Sequence, residues 1–436
     1  MDLIKDNVKT LYIRFLTAAF GSALATSIYG LVDMAMVGQY HGPEGSAAMA
    51  VVAPIWNIIY SLGLLTGIGG SVLFSVQRGK HISSESNDDY FSSAVILSIA
   101  CSLFCLLGLW IFEEPLLRLF GADASLLLLS KRYLTTVKFT VPSFLFVQML
   151  AAFLRNDSVP DLATKAVIIG GCFNIFGDYF FVFTLDMGIL GAGLATSLGS
   201  LISLLVMCSH FFSKKCTLTF TLRLSHLTLW GSIIKTGFSA FFVDIAMGIL
   251  TMLFNQQIMH YLGTSALAVY GVLVNISTFV QCCAYGVGQA SQPILSQNFG
   301  AKQYDRIRLL LRYNLLSLLI LGIFWTVSIM TVPNMFIRIF MVPTKEVLTI
   351  APFIMRCYGS SFFFLLVNVY ATYYFPSLLQ PQTAMVISVS RGLVISGGLI
   401  LCLPLLLGPN ALWLAMLITE TIVLLYVIFH MRASYR

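Results

Sequence analysis

The stretch AMAVVAPIWNI at residues 48–58 returns as ALAVYGVLVNI at residues 266–276, and this repeat decides how the chain folds. The asparagines near the ends of the two stretches, Asn57 and Asn275, lie 218 positions apart, which is half of the 436-residue chain. A repeat of that length indicates two similar lobes that follow one another in the sequence. The nature of each lobe follows from the composition around the repeat.

The composition excludes one or two water-soluble domains, because 58% of the residues are hydrophobic and only 10% are charged. Runs of about twenty or more apolar residues can each cross the ~30 Å hydrocarbon core of a bilayer. Twelve such runs lie at 11–37, 47–77, 90–112, 133–155, 161–184, 189–212, 230–259, 266–297, 307–331, 349–375, 380–405 and 410–431. The sequence therefore predicts an all-α integral membrane protein with twelve transmembrane helices.

Six spans in each repeat mean that both lobes enter the membrane in the same direction. We expect a pseudo-twofold axis along the membrane normal and a solute cavity between the lobes. The predicted domains are an N-terminal six-helix lobe at 1–212, a polar linker at 213–229 and a C-terminal six-helix lobe at 230–436. No enzyme motif for zinc or serine hydrolysis occurs in either lobe.

The position of the cations predicts the orientation of the chain in the membrane. Of the 25 lysines and arginines, most fall on one side if the N-terminus is inside, including Lys214, Lys215 and Arg223 of the linker. We therefore expect a multi-pass protein of the cell membrane with both termini cytoplasmic. Because this distribution accounts for the net charge of +7, no nucleic-acid partner is needed. The nine cysteines lack metal-ligand spacing, so they are interpreted as packing residues and no cofactor is expected.

Four acids interrupt the apolar runs: Asp33, Asp178, Asp244 and Glu420. A carboxylate at that depth is costly unless it is paired, hydrated or protonated, so intramembrane acids generally mark a pathway for ions or solutes. Arg391 lies at a depth comparable to that of Asp244 and Glu420. For the latter two, a paired structural charge is the principal alternative to a second substrate-facing group.

Asp33, Asn174, Asp178 and Thr196 are expected at one level of the first lobe. Asn174 and Asp178 are four residues apart and therefore share a helix face. The carboxylates can hold a proton or Na⁺, and the asparagine and threonine oxygens can complete either site. Asp33 and Asp178 are metal ligands only if the coupling ion is Na⁺. Packing between helices is the alternative role for the two neutral residues.

Several motifs in the repeated parts of the chain resemble the multidrug and toxic compound extrusion (MATE) family, and the resemblance runs through both lobes. These motifs are LVDMAMVG at 31–38, GPE at 42–44, API at 53–55, GVGQASQPI at 286–294 and NFGA at 298–301. The resemblance implies a V-shaped pair of six-helix bundles. It also implies an antiporter that exports cationic, amphipathic compounds in exchange for H⁺ or Na⁺.

In the family branch that couples transport through the N-terminal lobe, the resemblance assigns the coupling role to Asp33, Asn174, Asp178 and Thr196. Other members place an essential acid on helix 7 or helix 10. Here helix 7 carries Asp244, whereas helix 10 carries Asn368 and no acid. The second lobe therefore departs from the family's pattern for a complete cation site. Candidate substrate-binding residues are Tyr29 and Met36, each about one turn from Asp33, with Asp244, Asn368 and Glu420.

Three other functions remain open from the sequence. A flippase for a lipid-linked glycan or lipid would share the two-lobe plan, but the intramembrane charges here lean acidic and do not favour phosphate. An intramembrane aspartyl protease would need Gly-x-Gly-Asp, and Ile175 occupies the first glycine position before Asp178. A channel or receptor accounts less directly for paired lobes. The expected partners are membrane lipid and small cationic compounds, and the functional unit is expected to be a monomer.

Overall fold

The computed structural model describes residues 2–80, 84–122, 124–222, 224–340 and 343–433. Eleven helices in these ranges are long and apolar enough to cross a membrane, and a bent helix pair supplies a twelfth span. We number the spans α1 (Val8–Gly42), α2 (Glu44–Gly79), α3 (Asp89–Leu119), α4 (Leu126–Asn156), α5 (Pro160–Thr184), α6 (Ile189–Phe212), α7 (Leu227–Tyr261), α8 (Gly263–Gly300), α9 (Tyr304–Thr331), α10 (Lys345–Gly359 with Phe362–Ser377), α11 (Pro381–Leu407) and α12 (Pro409–Arg432). The predicted all-α membrane fold is confirmed.

The junction between the first two helices of each lobe contains a glycine in the left-handed region. Gly42 has φ +66° between α1 and α2, and Gly263 has φ +79° between α7 and α8. Glycine adopts this conformation without the steric cost that a Cβ atom would impose. The same device at corresponding places in the N lobe (α1–α6) and the C lobe (α7–α12) agrees with the sequence repeat.

The first helix of each lobe begins inside the other lobe. Leu11 and Phe15 near the start of α1 are buried in the same hydrophobic core as α8, α9 and α10. Ile233, near the start of α7, is correspondingly buried in the core of the N lobe. The division at 213–229 is therefore a division of the sequence, while the packing of the lobes is interleaved at this end of the molecule.

Four glycines bring the lobes into backbone contact, and we call them the interlobe seal: Gly69, Gly79, Gly237 and Gly300. A Cβ atom added to any of them would overlap a backbone carbonyl oxygen of the facing helix. The contacts join α2 to α7 and α2 to α8. Since the chain begins at the same end, this seal lies on the side where α1 and α7 cross between the lobes.

The polar linker is fastened to the N lobe by the buried carboxylate of Asp157, just after α4. Asp157 accepts hydrogen bonds from Arg78 Nη1 at 2.9 Å and from the Thr217 backbone N–H at 3.1 Å. His210 Nε2 lies 2.7 Å from the same carboxylate, and the Thr217 hydroxyl also donates to it. Arg223 of the predicted linker lies outside the described residues.

Candidate functional site

Helix α5 changes its winding at the position of a predicted site residue. It runs as an α-helix over Pro160–Gly177 and continues as a π-helix over Asp178–Thr184. The corresponding helix of the C lobe, α11, also contains a π-helical segment, Ser390–Val394, which includes Arg391. Such wide turns are rare and often mark functional sites. In this chain they place a buried ionisable residue in each lobe.

Three of the four predicted coupling residues form one hydrogen-bonded chain. Thr196 Oγ1 lies 3.3 Å from Asp33 Oδ2, and Asn174 Nδ2 donates to Thr196 Oγ1 at 3.2 Å. Tyr133 of α4 donates its hydroxyl proton to the same Asp33 oxygen at 3.3 Å. Helices α1, α4, α5 and α6 therefore meet at the carboxyl group of Asp33.

Asp178 lies close to this chain without bonding to it. Its side chain is fully buried and within electrostatic range of Asp33. Both carboxylate oxygens of Asp178, Asp33 Oδ1 and Asn174 Oδ1 have no hydrogen-bond partner among the described residues. A buried carboxylate without partners is costly in its charged form. Four unsatisfied acceptor oxygens in one region provide ligands for a proton or a small cation.

The acceptor to which the Thr196 hydroxyl donates depends on the charge of Asp33. It lies within hydrogen-bonding distance of both Asp33 Oδ2 and the Ala192 backbone oxygen, at 3.3 and 3.0 Å. Because a hydroxyl carries one proton, it cannot donate fully to both acceptors. A charged Asp33 attracts that proton, whereas a neutral Asp33 can become the donor and leave Thr196 bonded to Ala192.

A cavity of about 390 Å³ opens beside Asp33 within the N lobe. Its wall includes the rings of Tyr29, Trp56, Tyr60, Tyr133 and Phe144. Amide groups from three residues supply polar contacts: Asn57, Gln148 and Asn174. Pockets of a few hundred Å³ with apolar walls and a few polar groups suit drug-sized ligands. An aromatic wall with one carboxylate favours an organic cation.

The two predicted substrate residues of α1 have different positions. Tyr29 lines the cavity, as does Met34, whereas Met36 is absent from the cavity wall. The neighbouring Val37 is fully buried in a hydrophobic core of the N lobe, so the helix face that carries Asp33 leaves the cavity after Met34. Tyr29 therefore lies on the part of α1 that lines the cavity, whereas Met36 lies beyond the point where the cavity ends.

Asp244 of α7 faces the region between the lobes. The Tyr285 hydroxyl donates to Asp244 Oδ1 at 2.9 Å, while Asp244 Oδ2 has no hydrogen-bond partner among the described residues. Asp244 is within electrostatic range of Tyr60, which lines the N-lobe cavity. The acid therefore lies across from the cavity wall and retains a free oxygen.

Glu420 and Asn368 belong to a hydrogen-bonded network that does not line the N-lobe cavity. Arg391 Nε donates to Glu420 Oε1 at 2.6 Å, and Asn368 Nδ2 donates to Glu420 Oε2 at 2.7 Å. All three side chains are buried. The charges of Arg391 and Glu420 neutralise each other, which matches the structural alternative considered for this pair.

Tyr133 was not identified from the sequence. Its position near the apolar start of α4 gave no sign that the hydroxyl would reach α1.

A cluster that the sequence did not predict brings Asp157, His210 and Cys216 together, with ligand atoms within 4.8 Å of one another. Hydrogen bonds from Arg78, Thr217 and His210 already satisfy the Asp157 oxygens, so the cluster is accounted for without a metal.

A model of the MatE family matches residues 18–180 and 239–397, about three quarters of the chain. Multidrug export protein MepA of Staphylococcus aureus strain MSSA476 is 22% identical over 393 residues, covering 89% of this chain and 84% of that protein. MepA of Staphylococcus saprophyticus is 23% identical over 326 residues, covering 73% of this chain and 70% of that protein.

Solved structures share the fold over the whole chain. The outward-facing conformation of a multidrug resistance MATE family transporter aligns with a TM-score of 0.89 at 19% identity, covering 99% of this chain and 97% of that one. An aspartate-to-asparagine mutant of the Vibrio cholerae MATE transporter VcmN aligns with a TM-score of 0.86 at 18% identity, covering 98% and 97% of the two chains. At these identities the structural likeness establishes the fold.

Proposed function

Since this chain belongs to the MATE family, we propose that it exports cationic, amphipathic compounds across the cell membrane in exchange for H⁺ or Na⁺. The family is one of transporters rather than enzymes. Relatives named for multidrug export cover most of the chain, which supports the same class of substrate here. The observation that carries the proposal is the acid-containing N-lobe cavity with its unsatisfied oxygens.

Asp33 and Asp178 are the proposed carriers of the coupling ion. In the loaded state, a proton or Na⁺ removes one negative charge from this acidic pair, and the oxygens of Asn174 and Thr196 complete the site. In the unloaded state, Asp33 presents a negative charge to the cavity and attracts a cationic substrate. Because each ligand weakens the other through the same charge, exchange follows from thermodynamic linkage. Na⁺ would be held by Asp33 and Asp178.

The cavity wall defines the substrate class that fits. Tyr29 and Trp56 offer ring faces for a cation or a planar ring system, and Met34 offers an adaptable apolar surface. Asp244 is proposed as a second acidic contact that a substrate meets between the lobes, since one of its oxygens is free. Asn368 and Glu420 act on the substrate only indirectly, by holding the C lobe in shape.

Alternating access is proposed as a movement about the interlobe seal. With both termini in the cytoplasm, the seal closes the cytoplasmic side, and we assign this arrangement to an outward-facing state of the transport cycle. Opening to the cytoplasm then requires α1 and α7 to withdraw from the opposite cores. The site residues of this scheme all come from one chain, so a monomer surrounded by lipid is sufficient for transport.

Efflux from proteoliposomes tests the proposal. Purified protein is reconstituted in vesicles with a fluorescent planar cation, and a pH gradient or a Na⁺ gradient is imposed separately. We expect one of the gradients to drive transport by the wild type, and little transport by Asp178→Asn or Asp33→Asn. Glu346→Gln, which changes an exposed acid at the start of α10, is the matched control.

Ion-driven transport at normal rates by both aspartate variants would contradict the proposal. Competition distinguishes the lipid alternative, because soluble anionic lipid head groups should not inhibit a site built around carboxylates. Strong inhibition by those head groups, with none by cations, would favour a flippase instead.

A further inference from the structure

A second hydrogen bond joins α1 to α6, about two turns from the coupling residues. The Ile189 backbone N–H donates to His41 Nε2 at 3.0 Å. Along α1, His41 follows Asp33 by eight residues, about 12 Å, and along α6, Ile189 precedes Thr196 by seven residues, about 10 Å. The two helices are therefore connected at two matching levels, one at the Asp33–Thr196 contact and one at the outer end.

This bond exists only when the imidazole is neutral. A backbone N–H can only donate, so His41 Nε2 must accept and must carry no proton. Protonated histidine has donors on both ring nitrogens and cannot accept. Ile189 is also the first residue of α6, where the helix dipole disfavours a positive charge. Protonation of His41 therefore removes an attraction and adds a repulsion.

The surroundings hold His41 against the loop before α6. Gly188, with φ +56°, packs so closely that an added Cβ atom would lie 2.5 Å from His41 Nε2. The Tyr40 ring meets the imidazole edge-on at 4.7 Å, and its hydroxyl bonds to Asp186 in the same loop. Among charged groups, Arg132 of α4 and Glu44 of α2 are within electrostatic range of His41, with opposite effects on its protonation.

We propose that His41 is a pH-sensitive positioning residue for the coupling site. While neutral, it caps α6, fixes the outer end of α1 and thereby aligns Asp33 with Thr196. When the outer solution is acidified, the protonated ring leaves Ile189, and the outer half of α1 becomes free to move Asp33 away from Thr196. This inference rests on the proposed function, because it gives the outer pH a route to the coupling acid besides Asp33 itself.

The test measures the position of α1 without transport. Spin labels are attached at Gln39 on α1 and at Leu185 in the loop before α6, both exposed, in a background that lacks the nine native cysteines. Pulsed electron paramagnetic resonance gives the distance between them in nanodiscs at about pH 8 and at about pH 5, on either side of histidine titration. We expect one short distance at high pH and loss of that population at low pH.

His41→Gln is the informative variant, because its amide oxygen can accept the Ile189 N–H and never becomes charged. It should keep the short distance at both pH values. His41→Phe, which has no acceptor, should lack that population at both. Asp33→Asn should respond to pH like the wild type, since His41 is intact.

A full pH response in His41→Gln, or its disappearance in Asp33→Asn, would overturn the proposal. In the latter case the movement would belong to Asp33. Because the distances need neither substrate nor gradient, this result is independent of whether efflux itself is observed.

Discussion

Three side chains from different helices form the hydrogen-bond network around the carboxyl group of Asp33. Tyr133 and Thr196 contact one of its oxygens, and Asn174 orients Thr196. The other oxygen has no partner among the described residues. Such a group is partly stabilised as an anion and partly available to a ligand, as the proposed exchange requires.

Replacing Tyr133 by phenylalanine should weaken binding of a cationic substrate. The ring can keep its edge contact with Trp56, at 6.4 Å between centroids, while Asp33 loses a donor that favours its charged form. A hydrogen bond to a charged group contributes about 1.5–3 kcal/mol, which is about a 10- to 150-fold change in affinity. Fluorescence titration at several pH values measures this, and the loss should shrink as pH rises and Asp33 ionises.

Tyr313→Phe in the C lobe is the matched control for Tyr133→Phe. Tyr313 stacks on Tyr12 at the sealed end of the molecule, far from the N-lobe cavity. An equal loss of affinity in both variants, or a loss that does not depend on pH, would argue against a specific role of Tyr133.

The ion pair in the C lobe should matter for stability rather than for coupling. Glu420→Gln leaves the buried Arg391 without its counter-charge, and breaking a buried pair typically costs about 3–5 kcal/mol. Thermal unfolding in detergent should show a clear loss of stability. The double variant Arg391→Met, Glu420→Gln should regain much of that loss. Unchanged unfolding with abolished transport would instead give Glu420 a direct role.

The sequence could predict residues whose depth and helix face follow from spacing alone. Asp33, Asn174 and Thr196 were grouped by their levels in the membrane, and the structure joins them directly. To predict the roles of Tyr133 and Met34, one would have to know the rotation of α4 and the extent of the cavity. Those quantities depend on packing between distant helices, which periodicity within one helix does not encode.

At the scale of helices, close backbone contacts hold the two lobes together. Gly300 at the end of α8 approaches the Val76 carbonyl of α2, and Gly79 approaches the Gln297 carbonyl of α8 in return. Small residues at helix interfaces allow such contacts in membranes. The contact is reciprocal, so a change on either side should weaken the same seal.

Gly300→Ala should shift the protein away from the proposed outward-facing state. Overpacking costs about 1–3 kcal/mol, equivalent to about a 5- to 150-fold change in the balance between two states. Spin labels at Leu119 of α3 and Leu406 of α11, both exposed near predicted outer helix ends, should report a larger population with a shorter distance. Gly271→Ala on the same α8 is the control, because its added methyl group meets nothing within 4 Å.

If Gly300→Ala and Gly271→Ala give the same distances, the seal does not set the balance of states. Part of the overpacking cost is offset in the folded protein, since alanine favours a helix by about 1 kcal/mol over glycine.

Most helix positions were predictable because long apolar runs must cross the bilayer. The π-helical turn at Asp178–Thr184 was not predictable, since the same residues would satisfy an ordinary α-helical pattern. The break in α10 between Gly359 and Phe362 was also hidden inside a continuous apolar run. These irregularities arise from contacts with neighbouring helices.

At the scale of the molecule, the two lobes share one fold but hold their buried acids in different surroundings. The N lobe places Asp33 at the wall of a cavity of about 390 Å³, whereas in the C lobe Arg391 neutralises Glu420. The sequence repeat predicted the paired lobes. It did not predict that α1 and α7 would begin in the opposite cores, because a repeat describes similarity and not the contacts between its halves.

The central claim is that one acidic site in the N lobe binds either the coupling ion or the cationic substrate. The most direct test is the dissociation constant of a fluorescent cation for the purified protein, measured across pH and Na⁺ concentration. For the wild type we expect weaker binding as the coupling ion increases, by about tenfold per pH unit in the limit of one competing proton. The double variant Asp33→Asn, Asp178→Asn should lose this dependence. Wild-type binding that responds to neither H⁺ nor Na⁺, or an unchanged response in the double variant, would contradict the claim.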